Sequence, residues 1–442
     1  MLPQLKQITS PADLPPLPEI YILWHPDCEH GAPIAWQIRQ WLRPAASQGP
    51  QVFYRGKEAP APGEKLPLPL PGETRGWAPQ LERRETRSTL QIVIPLIDHH
   101  MVADPAWRWW LDQLAHPPHS ATPPPPRIFL PVALSSTAFN APPTIAQRNF
   151  LRIPEVLDLP VKSLWIDPLE SPLLGSLLKP LTEALCRIVL ADSPAEVQGG
   201  NRGAMPLRLF ISHAKADGTG PASLLRDYIY SRTQLAAFYD ENNIPYGDNF
   251  TRVLNNSLRA GETAALIAVV SDAYASRPWC RRELRTFCKP RRIRRIAQHK
   301  VAVWAMQPVL VVDILEGKRV TRGLSELATV PVLRWRADLP DSRQEETIVT
   351  TLLREVFFDG YARLVAQHLA IQQEDESGPR IILSWRPDSV TLLPILANRP
   401  KNPFTVYYPG RELSYIDVKT LKKLFPQANF LSFTEANFNV TS

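Results

Sequence analysis

Paired cysteines are missing from this chain. Its four cysteines, Cys28, Cys186, Cys280 and Cys288, form no CxxC pair and have no companion histidine at zinc spacing. They read as reduced, cytosolic thiols and not as a disulfide framework or a metal site. Long apolar runs are missing too. The longest candidate, Val301 to Leu315, is broken by Gln307-Pro308 and carries Asp313, so it does not reach membrane-spanning length. The opening Met1-Leu2-Pro3-Gln4-Leu5-Lys6 lacks the charged head and apolar run of a secretory leader. These absences lead to the expectation of a cytoplasmic protein with no membrane segment. No GxGxxG or GxxxxGKS/T loop is present, which argues against an ordinary dinucleotide fold or a P-loop nucleotidase. Ser, His and Asp occur without a GxSxG elbow, so a hydrolase triad has little support.

The chain has 442 residues, 44% of them hydrophobic, enough for real cores and for two or three domains. Its 47 prolines are about twice the usual share. Many lie outside the periodic segments, as in Thr122-Pro123-Pro124-Pro125-Pro126, and read as stiff linkers and loops. Net charge is +7, from 50 basic and 43 acidic residues, with a dense patch at Lys289-Pro290-Arg291-Arg292-Ile293-Arg294-Arg295. Such a run can meet nucleic acid or phosphate. With no aromatic residues interleaved, a solvated helix surface is the favoured reading.

The segment 206–373 alternates strands and helices. Leu207 to His213 reads as a buried strand, followed by a polar loop, 215–220, and a helix with Leu224, Leu225, Tyr228 and Ile229 on one stripe. Then come a short strand ending Phe238-Tyr239-Asp240, a loop over 241–249, and a helix marked by Phe250, Val253, Leu254 and Leu258 and stopped by Gly261. The continuous apolar strand Ala264 to Val270 leads into a helix bearing Trp279 and Glu283. Strands at Val301 to Val312 and Val330 to Trp335 and a helix from about Gln344 to Leu369 complete the pattern. Elements of these lengths predict a parallel sheet covered on both faces.

Residues 18–195 repeat the order. Ile20 to His25, Gln51 to Tyr54 and Leu90 to Ile97 match the first three strands, Asp104-Pro105-Ala106-Trp107 falls where Arg277-Pro278-Trp279 does, and Leu173 to Leu190 matches the closing helix. Ile128 to Leu134 and Ser163-Leu164-Trp165 supply the last two strands of this reading. The position matching Glu283 is Leu111, so this copy reads as catalytically silent. Residues from Ile381 begin the pattern a third time but cover only half a sheet, expected to pack on the central domain. The expected organisation is a tail, 1–17; a diverged α/β domain, 18–195; a linker, 196–205; a central α/β domain, 206–373; and a small α/β extension, 374–442.

In parallel α/β sheets, ligands sit beyond the carboxyl ends of the strands. Three such ends in the central segment are polar: Ser212-His213 with Lys215, Tyr239-Asp240-Glu241, and Ser271-Asp272. The helix after the third carries Trp279 and Glu283 at i and i+4, on neighbouring lines of one face. A cleft there would hold an acid, an aromatic face, an imidazole and an ammonium.

The ordered set Phe210-Ile211-Ser212-His213, Phe238-Tyr239-Asp240, Ile244-Pro245-Tyr246-Gly247 and Ser271 through Leu284 resembles the Toll/interleukin-1 receptor (TIR) domain. The last stretch matches its Ser-x-x-Tyr-x-x-Ser-x-Trp-Cys-x-x-Glu-Leu pattern almost residue for residue. The resemblance covers 206 to about 373 and echoes more faintly in the first domain. It implies a flavodoxin-like parallel sheet and, in the bacterial NAD-cleaving members, a catalytic glutamate at Glu283. It further implies substrate contacts from Ser212, His213, Lys215, Tyr239 and Trp279, with NAD as substrate and no resident cofactor or metal. Members of that type act in anti-phage defence and become active when TIR domains assemble, which implies a homo-oligomer and a separate sensor protein. His213 in place of the usual Tyr, and Tyr246 between the loop Pro and Gly, depart from the pattern. Two other readings stay open: a non-enzymatic adaptor that recruits other TIR domains, and a nucleic-acid module built on the arginine patch.

Overall fold

The computed structural model describes residues 14–44, 49–55, 89–115, 126–153, 158–191, 207–239, 263–295, 301–314, 330–336, 340–372, 379–396, 403–410 and 412–433. The chain divides into two compact units, built chiefly from Ile8–Gly200 and from Asn201–Ser432. The expected loop 241–249 and the helix around Phe250 to Leu258 lie outside the described residues.

The first unit is a parallel sheet of β1 (Leu17–Trp24), β2 (Val52–Arg55), β3 (Thr89–Ile97), β4 (Arg127–Phe129), β5 (Val132–Ala133) and β6 (Leu151–Arg152). Its order is β2-β1-β3-β5-β6, with β4 also on β3. Helices α1 (Gly31–Leu42), α2 (His99–Ala103), α3 (Pro105–Ala115) and α4 (Lys179–Val189) accompany it. β1 and residues 90–97 of β3 are buried, as expected of parallel strands whose faces are covered by crossover helices. One ladder breaks for a local reason. The pairing of β3 with β4 ends at Val93 and resumes with β5 at Leu96, leaving Ile94-Pro95 opposite Leu130-Pro131, where neither proline has an N–H to give. The last strand is Leu151–Arg152 and not Ser163 to Trp165. The latter forms a 3₁₀ turn over Val161–Leu164 that positions the Leu164 carbonyl to accept a 2.6 Å hydrogen bond from buried Gln37.

The second unit contains two sheets. Its strands in chain order are β7 (Arg208–His213), β8 (Ala236–Tyr239), β9 (Thr263–Val270), β10 (Arg291–Arg295), β11 (Val301–Ala305), β12 (Val309–Asp313), β13 (Val332–Arg334), β14 (Arg380–Leu383), β15 (Phe404–Tyr408) and β16 (Ala428–Ser432). The central sheet runs β8-β7-β9-β12-β13, all parallel. Written by strand position this is 2-1-3-4-5, the flavodoxin-like order, and the first unit has the same order. The two sheets therefore share one strand order.

The other sheet runs β10-β11-β14-β15-β16. Two expectations change here. The apolar run Val301 to Val312 is two strands in two sheets: Gln307-Pro308 ends β11, and the Pro308 carbonyl already accepts from Leu266 of β9. The arginine patch is not a helix surface. Helix α6 (Pro278–Phe287) ends before Pro290, and Arg291–Arg295 pairs antiparallel with β11 as an edge strand. Among the described residues β10 is the terminal strand of this sheet, and charge suits such a position. The half sheet read at the C-terminus is thus completed by strands from the central segment.

Helix α5 (Thr219–Arg232) covers the central sheet, and α8 (Ser389–Leu396) and α9 (Tyr415–Leu424) accompany the third. The 32-residue α7 (Asp341–Gln372) packs on β9 and β12 of the central sheet and on β11 and β14 of the third. At its middle Asp359 pairs with Arg363 at 2.6 Å and accepts a bond from Ser384, while Arg363 also donates to the Met306 carbonyl at 2.6 Å. Burial pushes the Asp359 carboxyl up to about 6 against the lowering pull of Arg363. Because the folded value lies above the ordinary 3.8, folding favours the protonated form. This contribution is intact below about pH 4 and is lost as pH rises through about 6. The melting temperature of Asp359→Asn minus that of wild type should therefore climb across that window. A difference that stays flat would contradict the assignment.

Candidate active site in the central sheet

In a 2-1-3-4-5 sheet, strand order reverses between the first and third strands, and a crevice opens beyond their carboxyl ends. Here those strands are β7 and β9. β7 ends in Ser212-His213, both buried, and β9 runs out into Ser271. Helix α6 enters beside them with Pro278 in its first turn, where a missing N–H costs nothing. Cys280, Glu283, Leu284 and Phe287 form its buried stripe, at the i, i+3, i+4, i+7 spacing of a core-facing helix. Three of these four are apolar or thiol and pack with Phe210, Leu266 and Val270. The fourth is a carboxylate.

Glu283 is only 4% exposed, so it is not a solvent-facing helix glutamate. Ser212 Oγ donates to its Oε2 at 2.5 Å, and the Tyr274 hydroxyl lies 2.9 Å from the same Oγ. A serine has one hydroxyl proton. With that proton on Glu283, Tyr274 is the donor of the second bond, and the chain runs Tyr274 to Ser212 to Glu283. Burial pushes the Tyr274 phenol well above its ordinary value, a shift the Ser212 bond opposes, which keeps it protonated and able to donate. A second clip spans the crevice: Asp217, in the turn after β7, accepts from Ser271 Oγ at 2.5 Å and from the Ala273 amide at 2.9 Å. Cys280 Sγ donates to the His213 carbonyl at 3.3 Å and ties the helix to the strand end.

Of the residues expected to form the site, Ser212 and Glu283 meet directly, with His213 next in sequence. Trp279 does not share Glu283's enclosure. It is 52% exposed at the rim, with the Arg282 guanidinium over its ring at 5.5 Å. Lys215 is exposed in the turn after β7. Tyr239 ends β8 in register with Ile211, and its side chain lies outside the described residues. Two participants were missed. Tyr274 stood in plain view as the tyrosine of Ser-x-x-Tyr, whereas Asp217 had no signal beyond lying in a polar loop.

Residues 209–322 match the family model described as TIR domain. The central domain is a TIR domain. No curated protein matches the chain. The match begins in β7 and runs past β12, so it takes in Ser212, Tyr274 and Glu283. In this TIR domain the motif glutamate is held from the neighbouring strand, and Ser212→Ala should expose that dependence. Removing the hydroxyl takes a donor from a buried carboxylate and an acceptor from a buried phenol, a cost of about 1–3 kcal/mol. Urea unfolding should show the loss, with Ser212→Thr recovering part of it. Unchanged stability in Ser212→Ala would mean that the chain of hydroxyls does not hold Glu283.

Proposed function

We propose that this TIR domain cleaves the nicotinamide–ribose bond of NAD, with Glu283 as the group that meets the ribose. The observation that carries the reading is a carboxylate held by the Ser212 hydroxyl at the switch point of a parallel sheet, where such folds take their ligands. One carboxylate suffices for this reaction. The nicotinamide of NAD is a cationic pyridinium and leaves without protonation. Positive charge then gathers on the ribose, and a fixed carboxylate stabilises it. Water adds to the ribose carbon and gives up a proton, so the products are nicotinamide and ADP-ribose. Ser212 keeps the carboxylate pointed. His213 lines the same strand end, the exposed indole of Trp279 offers a stacking face, and Lys215 offers a cation for the diphosphate. Tyr239 belongs to the same rim by its strand position.

NAD is consumed in this reading, and no resident cofactor is invoked. Exposed Trp279 fits activation by packing of neighbouring TIR domains into a homo-oligomer, triggered by a separate sensor, as in a bacterial anti-phage effector. Among the described residues no helix is long and apolar enough to cross a membrane. The second reading is an adaptor that works through TIR–TIR contacts. It is favoured by the depth of Glu283, since a buried strut would show the same bond to Ser212.

Nicotinamide release, followed by chromatography on dilute and on assembled protein, separates the two. Glu283→Gln keeps an oxygen that accepts from Ser212 and should fold, yet lose roughly 10²-fold or more of the release, the scale of one preorganised electrostatic contact. Equal release by wild type and variant would remove Glu283 from the chemistry. No release from an assembled wild type would favour the adaptor.

A further inference from the structure

The first unit carries a different chemistry at the equivalent rim. Its switch-point strands are β1 and β3. β1 runs into His25-Pro26-Asp27, and β3 into Asp98-His99-His100 at the start of α2. His25 is 8% exposed, and its ring stacks on His100 with centroids 5.7 Å apart at 16°. One ligand atom from each of His25, Asp27 and His100 lies within 4.8 Å of the others, and His25 Nδ1 stands 3.7 Å from Asp27 Oδ2.

The protonation pattern of His25 decides what this cluster can do. The Asp27 amide can only donate, and it points at Nδ1 from 3.1 Å. Nδ1 therefore bears the lone pair, and the neutral ring carries its proton on Nε2, which faces Asp104 Oδ2 at 3.3 Å. A ligating imidazole gives the lone pair of one nitrogen to the metal and donates from the other, often to a carboxylate; here the Asp27 amide occupies that lone pair, and an ion has to displace it. Asp104 is itself fixed. Its Oδ1 accepts from the amides of Ala106 and Trp107 at the start of α3.

We infer that His25, Asp27 and His100 form a binding site for a divalent first-row metal ion of the zinc class. Two imidazoles and a carboxylate match the donors zinc takes, and a three-ligand set leaves coordination positions for water or a small anion. With bonds of about 2.0–2.1 Å, tetrahedral ligand atoms stand about 3.3 Å apart. The His25–Asp27 pair is close to that spacing, and side-chain rotation of exposed Asp27 and half-buried His100 closes the rest. The ion replaces the Asp27 amide at Nδ1. In the unit where Leu111 stands at the glutamate position, the rim is thus built for a cation in place of a carboxylate. This inference is independent of the NAD reading.

The test uses the full chain, stripped with a chelator, freed of it, and dialysed against Zn²⁺ before elemental analysis. Wild type should retain one tightly held zinc per chain. His100→Gln and Asp27→Asn should each weaken retention at least 10-fold. Asp104→Asn, which preserves the helix cap because Asn caps as well as Asp, should weaken it about 10–100-fold through the lost partner of His25. Circular dichroism of each variant checks that the unit is folded. Substoichiometric zinc on wild type, or retention indifferent to these changes, overturns the site. Loss in His100→Gln with full retention in Asp27→Asn would overturn this ligand set in favour of Asp98, His99 and His100, which also converge.

Discussion

A carboxyl group removed from water must be met by hydrogen-bond partners. At Glu283 one donor comes from another element, the end of β7, and this couples helix α6 to the sheet at its switch point. The neighbouring contacts reinforce that coupling. Tyr274 backs Ser212, Cys280 donates to the His213 carbonyl, and Asp217 pins the turn after β7 to the segment after β9. Each joins residues far apart in sequence across the crevice. The rim is consequently a cross-braced set of loops, which suits a site that must hold one carboxylate in one orientation.

The two flavodoxin-like sheets show how one topology carries different chemistry. Both use the order 2-1-3-4-5, and both place a tryptophan in the first turn of a helix between the third and fourth strands. Trp107 is buried against Trp110, edge to face at 4.8 Å, while Trp279 stands in solvent. With leucine at the glutamate position, the helix of the first unit buries a wholly apolar stripe of Trp107, Trp110, Leu111 and Leu114. Its polar groups gather instead on the strand ends, as His25, Asp27, His99 and His100. Fold and site are separable here, as they are across such folds generally.

The second unit depends on a different device. Its two sheets share α7, a helix about 48 Å long at 1.5 Å per residue. Because α7 packs on strands of both sheets, its apolar residues do not follow a single stripe, and the helix reads as buried nearly all round. Pro308 makes the arrangement possible by ending one strand and letting the next begin in the other sheet. β10 then stands at the end of the third sheet, paired antiparallel with β11.

Local pattern was enough to find most of the strands and helices, the leucine at the glutamate position of the first unit and the motif around Glu283. Continuous apolar runs and 3.6-residue stripes record burial, and burial is a property of each segment by itself. The sequence did not say which sheet a buried strand joins. Val301 to Val312 reads as one run, and only parallel pairing with Ile381 on one side of Pro308 and with Leu266 on the other divides it. Arg291 to Arg295 reads as polar surface in either secondary structure until β11 offers an edge. Tyr274 beside Ser212, Asp217 beside Ser271 and His25 beside His100 were equally out of reach. Parallel sheets bring together strand ends separated by whole crossover units, and no local spacing encodes such a meeting. The chain by itself determined which residue types stand at the strand ends. Tertiary structure decided which of them touch, because contact at a switch point is set by strand order.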